Sequence, residues 1–410
     1  MHLKRIIGLS IIYKYTAVLL ALLFSILVGR TLSVSDFGKY NLAISIVTVL
    51  GSVLSLGTEH WLIKEVSKSN KNIFILIKRA LFLRFTALFI ALLFSALAFI
   101  LGLVNFELLT FLIMVFCVLA MLTAGSLAQA TRGLEEADKA FQYHDLYRLI
   151  FSFVFFYLFL FLFSISFESI LFIFFLSTLI GVIFNVTYLK KLNLVTSKLV
   201  SFDIKNTFLA ALPFCGISIL AIVNNNLDVL MLGFLSDTSQ VAGYSVGAKA
   251  SLIVNSVTLL VVSILAPRFS RYFCNNEAEK LKQELFISTV ILFFFGLIII
   301  IAAYFLSPLL ALWGDEYLLY KNTFLILVIA QVIMFVGAPL SALLTMTNKE
   351  KLERNCLFLM LAINVLLGYF LIHMYGALGA SLSTLTSIIF VFMVRLISYR
   401  YLFMEKNRTH

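Results

Sequence analysis

A 410-residue chain that is 62% hydrophobic and only 12% charged has too little polar surface to coat a water-soluble globule of its size. Its net charge of +11 is dispersed over many short segments, which excludes a nucleic-acid-binding face and leaves membrane topology and attraction to anionic lipid as its roles. Lipid is therefore the solvent for most of the chain. Apolar runs such as 88–104 and 286–306 show no alternation, which excludes a transmembrane barrel and leaves helices.

Twelve spans follow, each near the ~17–25 residues that a bilayer core requires. The first, Ile6 to Thr31, lacks the small-residue cleavage site of a secretory leader and reads as a permanent span. It carries Lys14 on one helical face with Ser10, Ala17, Ala21 and Ser25, and it ends on Arg30. Lys14 has two readings, a snorkelling anchor or a charge bordering water, and Arg30 reads either as an interfacial anchor or as a group that holds phosphate. Spans from Tyr40 to Ile63, Ala80 to Val104, Leu108 to Ala128, Leu146 to Ser166 and Ser169 to Leu189 complete a first set of six. Glu59, His60 and Arg148, near the ends of theirs, read as interfacial.

Beyond a connector at 190–207, the seventh span runs from Phe208 to Leu235 and holds Asn224, Asn225, Asn226 and Asp228. The i,i+4 and i,i+3 spacings put Asn224, Asn225 and Asp228 on one side. If the helix ended before them, residues 229–235 would be an exposed apolar loop, so the spacing predicts an intramembrane carboxylate. The eighth span, Val241 to Leu265, holds Lys249 on a face with Ser245 and Ser256. Leu285 to Leu306, Asn322 to Leu344, Cys356 to Tyr375 and Ala377 to Leu396 follow, with a tail at 397–410. Pro213 with Gly216, and Gly337 with Pro339, are candidate kinks. The loop before Asn322 carries Trp313, Tyr317 and Tyr320, expected at the headgroup interface.

Of the 31 lysines and arginines, 26 fall in alternate gaps between spans or within four residues of them. These are Lys4 and Arg5; Lys64, Lys68, Lys71, Lys78, Arg79 and Arg84; Arg132, Lys139 and Arg148; Lys190, Lys191, Lys198 and Lys205; Arg268, Arg271, Lys280 and Lys282; Lys349, Lys351 and Arg354; Arg395, Arg400, Lys406 and Arg408. Only Arg30, Lys39 and Lys321 fall in the other gaps, and Lys14 and Lys249 lie within spans. Basic loops stay cytoplasmic, so both termini are expected inside.

The chain also repeats itself. Leu32-Ser33 and Leu235-Ser236 each precede a glycine–tyrosine pair, and Leu176-Ser177-Thr178-Leu179 is echoed by Leu382-Ser383-Thr384-Leu385, at offsets of 203 and 206 residues. Two six-helix halves, 1–189 and 208–396, are then parallel repeats about an axis along the membrane normal, a known plan for alternating-access carriers with a site between the halves. The expected fold is an all-α polytopic membrane protein of about twelve transmembrane helices.

The stretch Gly29-Arg30-Thr31-Leu32 followed by Asp36-Phe37-Gly38-Lys39-Tyr40 resembles the signature after the first helix in polysaccharide-repeat-unit (O-antigen) flippases. These form a branch of the multidrug/oligosaccharidyl-lipid/polysaccharide exporter superfamily. The run from Tyr375 through Gly376, Ala377, Leu378, Gly379, Ala380 and Ser381 to Leu382 is similar to that family's entry into the last helix. The first-half counterpart, 167–172, departs from the pattern in lacking glycines. On its own physics the run packs helices closely. The resemblance implies a multi-pass protein of the bacterial inner membrane that carries undecaprenyl-diphosphate-linked oligosaccharide to the outer leaflet for O-antigen or capsular polysaccharide. It also implies H+ or Na+ as candidate coupling ions, and a polysaccharide polymerase and chain-length proteins as candidate partners.

The residues agree with an anionic, hydrated headgroup to the extent that Lys14, Arg30 and Lys249 supply positive charge, with Asn224 and Asn225 as further polar contacts. Asp228 is the candidate for ion coupling or for neutralising a base such as Lys249. A multidrug or cation antiporter of the same fold is the first alternative, and it would place carboxylates in the cavity. A membrane-embedded polymerase or acyltransferase is the second, but no nucleophile motif or phosphate-cradling loop is present. Five histidines lack metal-ligand spacing, and Cys117, Cys215, Cys274 and Cys356 suggest neither disulfide nor metal, so no cofactor is expected.

Overall fold

The computed structural model describes residues 2–68, 73–100, 107–192, 203–275, 277–347 and 349–406. Lys71, Lys198, Arg408 and most of the 190–207 connector lie outside the described residues, as do the side chains of Lys4, Pro213, Ser256, Arg400 and Lys406. Over the described residues each predicted span is helical, apart from the turn at 55–57 and the end of the fifth span at 163–166, and no strand occurs among the described residues. The helices are α1 (His2–Thr31), α2 (Val34–Leu54), α3 (Thr58–Lys68), α4 (Ile73–Ile100), α5 (Leu108–Gly133), α6 (Ala137–Ala140), α7 (Tyr147–Leu162), α8 (Phe167–Lys191), α9 (Ile204–Leu235), α10 (Thr238–Cys274), α11 (Ala278–Leu306), α12 (Lys321–Met346), α13 (Glu350–Tyr375) and α14 (Ala377–Lys406). Among the described residues, nine helical segments are long and apolar enough to cross a bilayer.

The second span is two helices. Between α2 and α3, Leu56 and Gly57 take positive φ values of 49° and 71°. A side chain on Gly57 would stand 2.5 Å from the carbonyl oxygen of Ala211 and 2.6 Å from the nitrogen of Cys215, so the early part of α9 lies directly on the break. Broken backbone survives within a membrane only where its polar groups are satisfied again. Here the Ser55 hydroxyl donates to the Ser52 carbonyl, Thr58 Oγ1 donates to the Ser55 carbonyl, and Arg84 Nε donates to Thr58 Oγ1.

The fifth span is also composite. A π-helical turn, Phe141–Leu146, joins α6 to α7. Its wide turn needs room, and Gly181 of α8 provides it, since a Cβ there would meet the Tyr143 carbonyl oxygen at 2.7 Å.

The packing divides at Asn226/Leu227, inside α9. In the first unit α5 lies against α8, α3 and α2, around Val47, Leu88, Cys117 and Leu122; Ala211 of α9 joins Trp61, Leu62 and Ala80 in a smaller cluster. In the second, α10 runs along α12 and α13 pairs with α14, and Leu265, Phe269, Leu285, Leu340 and Leu343 form a core.

Three sequence expectations are revised. Trp313 and Tyr317 are 3% and 1% exposed, so they are not interfacial anchors; two 3-10 turns, Ser307–Leu312 and Asp315–Tyr320, fold the loop inward. Tyr320 lies with its ring over Gly243 and donates to the Ser239 carbonyl at 3.1 Å. Arg84 is 1% exposed, a buried charge instead of a membrane-flanking one. Pro267 lies inside α10, which continues past the predicted span to Cys274. The glycine–alanine run does pack helices: Gly376 has φ +56°, and a Cβ on Gly379 would stand 2.0 Å from the Leu371 carbonyl oxygen. The α13–α14 hairpin closes only without side chains there.

Candidate functional site

Helix α9 continues through its asparagines to Leu235, so Asp228 stands on a continuous helix, and only Ser236 and Asp237 separate that helix from α10. This tight hairpin sets Tyr244 beside Asp228, and its hydroxyl donates to Asp228 Oδ2 at 2.7 Å. From α13, Asn364 Nδ2 donates to Oδ1 at 3.0 Å. Thr384 of α14, inside the repeated Leu-Ser-Thr-Leu sequence, turns its hydroxyl back to the Ala380 carbonyl at 3.0 Å. Asp228 is 7% exposed and Asn364 5%. Neutral donors thus hold the carboxylate in place, and it forms no ion pair among the described residues. Asn364 Oδ1 and Ser245 Oγ are also buried, without a hydrogen-bond partner. A buried carboxylate with an unused amide oxygen nearby is a setting in which a small cation or a proton can be exchanged.

The asparagines do not share this arrangement. Asn224 Nδ2 donates to the Leu220 carbonyl at 3.0 Å and Asn226 Nδ2 to the Ile222 carbonyl at 2.9 Å, each turned back onto its own helix, whereas Asn225 is exposed. Spacing put Asn224, Asn225 and Asp228 on one side; their burial separates them. Lys249 is half-buried on α10, one helical turn or so beyond Tyr244.

In the first unit, Lys14 Nζ sits 5.8 Å from the centroid of the Phe141 ring, and the Arg132 guanidinium sits 4.9 Å from the same ring. Phe141 opens the π-helical turn, so that irregularity brings one aromatic ring within reach of two cations. Arg132 Nη1 donates to Gln129 Oε1 at 3.3 Å, and its Nε is buried without a partner. Of the small-residue face expected along Lys14, Ala17 and Ser25 are buried and Ala21 is exposed. Arg30 is exposed in the last turn of α1, where a cation complements the helix dipole.

Sequence reasoning missed two buried charge groups. Arg84 is one; its signal was a position four residues inside the predicted third span. The other is Glu353, which takes Arg395 Nη2 and Nε at 2.5 and 3.1 Å and Ser341 Oγ at 2.8 Å, tying α12, α13 and α14 together. Among the described residues no group of three or more histidine, cysteine or acidic side chains is placed to hold a metal ion.

The sequence profile of the family described as "Polysaccharide biosynthesis protein" matches residues 3–273, and that described as MatE matches residues 213–370. No curated protein matches the chain in sequence. Among solved structures, the lipid II flippase MurJ in an inward closed conformation is 14% identical, with 96% of this chain and 87% of that one covered at a TM-score of 0.77. A multidrug resistance MATE family transporter of the MOP superfamily, inward-facing, is 13% identical, with 94% and 95% covered and a TM-score of 0.73. A mutant of the Vibrio cholerae MATE transporter VcmN is 14% identical, with 98% and 97% covered and a TM-score of 0.61.

Proposed function

Because the chain belongs to the polysaccharide biosynthesis protein family, we propose that it flips undecaprenyl-diphosphate-linked oligosaccharide repeat units from the inner to the outer leaflet of a bacterial cytoplasmic membrane. It is a multi-pass membrane transporter and not an enzyme. In this reading both termini face the cytoplasm, the halves 1–189 and 208–396 alternate access, and the product feeds O-antigen or capsular polysaccharide assembly.

The observation that carries the reading is the family match over residues 3–273, joined to fold likeness to the lipid II flippase MurJ. Residue chemistry supports it. A diphosphate–sugar headgroup is anionic and strongly hydrated, so its passage needs fixed positive charge in a wet path while the polyprenyl tail stays in lipid. Lys14, stacked with Arg132 about Phe141, supplies such charge, and Arg30, Lys249, Asn224 and Asn225 are the further contacts. Asp228 is the coupling group, exchanging H+ or Na+ in a pocket of neutral partners.

The test follows leaflet exposure of lipid-linked repeat units in cells lacking the protein, with and without the gene restored. Exposure that depends on the gene is expected; unimpaired exposure in its absence, with no redundant carrier, removes the assignment. A second reading, a multidrug or cation antiporter, is favoured by the MatE match over residues 213–370 and by the buried carboxylate of Asp228, which forms no ion pair among the described residues. It predicts instead that loss of the gene raises drug sensitivity and leaves polysaccharide unchanged.

A further inference from the structure

Arg84 heads the fully buried side chains by volume, and its hydrogen bonding is incomplete. Nε donates to Thr58 Oγ1 and Nη1 to the Leu122 carbonyl, each at 2.8 Å, while Nη2 is buried with no partner. Beside it, Gly125 of α5 is partly exposed. A methyl group on Gly125 would stand 3.5 Å from Arg84 Nη1 and 3.8 Å from Glu59 Oε1, and no other heavy atom beyond its own helix backbone lies within 4 Å among the described residues. Glu59, in the first turn of α3, is also partly exposed and is absent from the ion pairs formed among the described residues. The glycine therefore keeps open a spot flanked by a guanidinium and a carboxylate that do not close on each other.

A charge pair kept only for the fold gains most by closing, as Glu353 and Arg395 do. The open pair has no net charge, and its carboxylate repels a phosphate, so it does not suit an anion. It suits a group that both donates and accepts: a hydroxyl giving its proton to Glu59 and receiving a hydrogen bond from Arg84. Gln129 and Arg132 lie four and seven residues after Gly125 on the same face of α5, all three partly exposed. That face leads from the open pair to the stack of Arg132 and Lys14 on Phe141, whose two cations do suit a phosphate.

We propose that Arg84 and Glu59, across Gly125, form a subsite for the sugar hydroxyls of the substrate headgroup. This rests on the flippase reading above. The test uses the full-length protein in detergent and two probes: undecaprenyl diphosphate without sugar, and the glycosylated lipid extracted from cells lacking the protein. Wild type is expected to bind the glycosylated lipid about tenfold more tightly. Gly125→Ala, whose methyl sits at ordinary contact distances, and Glu59→Gln, which preserves shape, are each expected to bring the two affinities within about twofold, with the bare lipid bound as in wild type. Retention of the preference in a folded form of either variant overturns the subsite. A wild type that binds both lipids equally overturns the subsite and leaves the flippase reading standing; one that binds neither removes both.

Discussion

Replacing Asp228 separates its charge from its hydrogen bonds. The carboxylate accepts from Tyr244 and Asn364, both buried beside it. In Asp228→Leu those two donors lose their acceptor, at about 1–3 kcal/mol each, or about 2–6 kcal/mol together. In Asp228→Asn the amide oxygen still accepts from Asn364, and the Tyr244 hydroxyl turns to accept from the new NH2 group, so the cost is about 1 kcal/mol or less. For a unit of this size each kcal/mol moves the melting temperature by about 2–4 °C, so the leucine variant should melt about 4–24 °C lower in detergent and the asparagine variant within about 4 °C of wild type. Surface polysaccharide should nonetheless fall about tenfold in Asp228→Asn at equal membrane abundance, because an amide exchanges neither a proton nor a cation. Asparagine cells with normal polysaccharide and unchanged ion dependence would refute the coupling role. A leucine variant as stable as wild type would refute the hydrogen-bonding account.

Glu353→Ala should destabilise the second unit by about 3–5 kcal/mol, since Arg395 is left buried without its counter-ion, and joint replacement of both residues by methionine should recover most of that loss. A double variant that melts no higher than the single one contradicts this. Gly379→Ala should sharply lower the yield of folded protein, because its Cβ would stand 2.0 Å from a backbone oxygen that has no rotamer to escape into; wild-type yield on size-exclusion chromatography would count against the close packing. Lys249→Ala should reduce surface polysaccharide without lowering abundance, and normal polysaccharide in that variant removes Lys249 from the substrate path.

Apart from the turn at 55–57 and the end of the fifth span, the predicted spans are helical over the described residues because crossing length and apolar composition are local quantities that a sequence displays directly. The same logic located Asp228 within a helix, since ending α9 earlier would have left an apolar loop in water. It did not locate the partners of Asp228: Asn364 lies 136 residues away, and nothing in the local pattern links the two. Gly125 reads in sequence as one more small residue, and only the approach of α3 and α4 to α5 gives it two charged neighbours. Trp313 and Tyr317 carry the composition of an interfacial loop, yet two 3-10 turns bury them.

By itself the sequence determined that this is a polytopic helical membrane protein, where its helices run and that Lys14, Asp228 and Lys249 lie within spans, because hydrophobicity and charge act within a single segment. Only the tertiary structure decided that Asp228 is held by neutral donors, that Glu353 and Arg395 close into a pair and that Arg84 and Glu59 stand open across a glycine. Those outcomes depend on contacts between helices far apart in the chain, which no single segment displays.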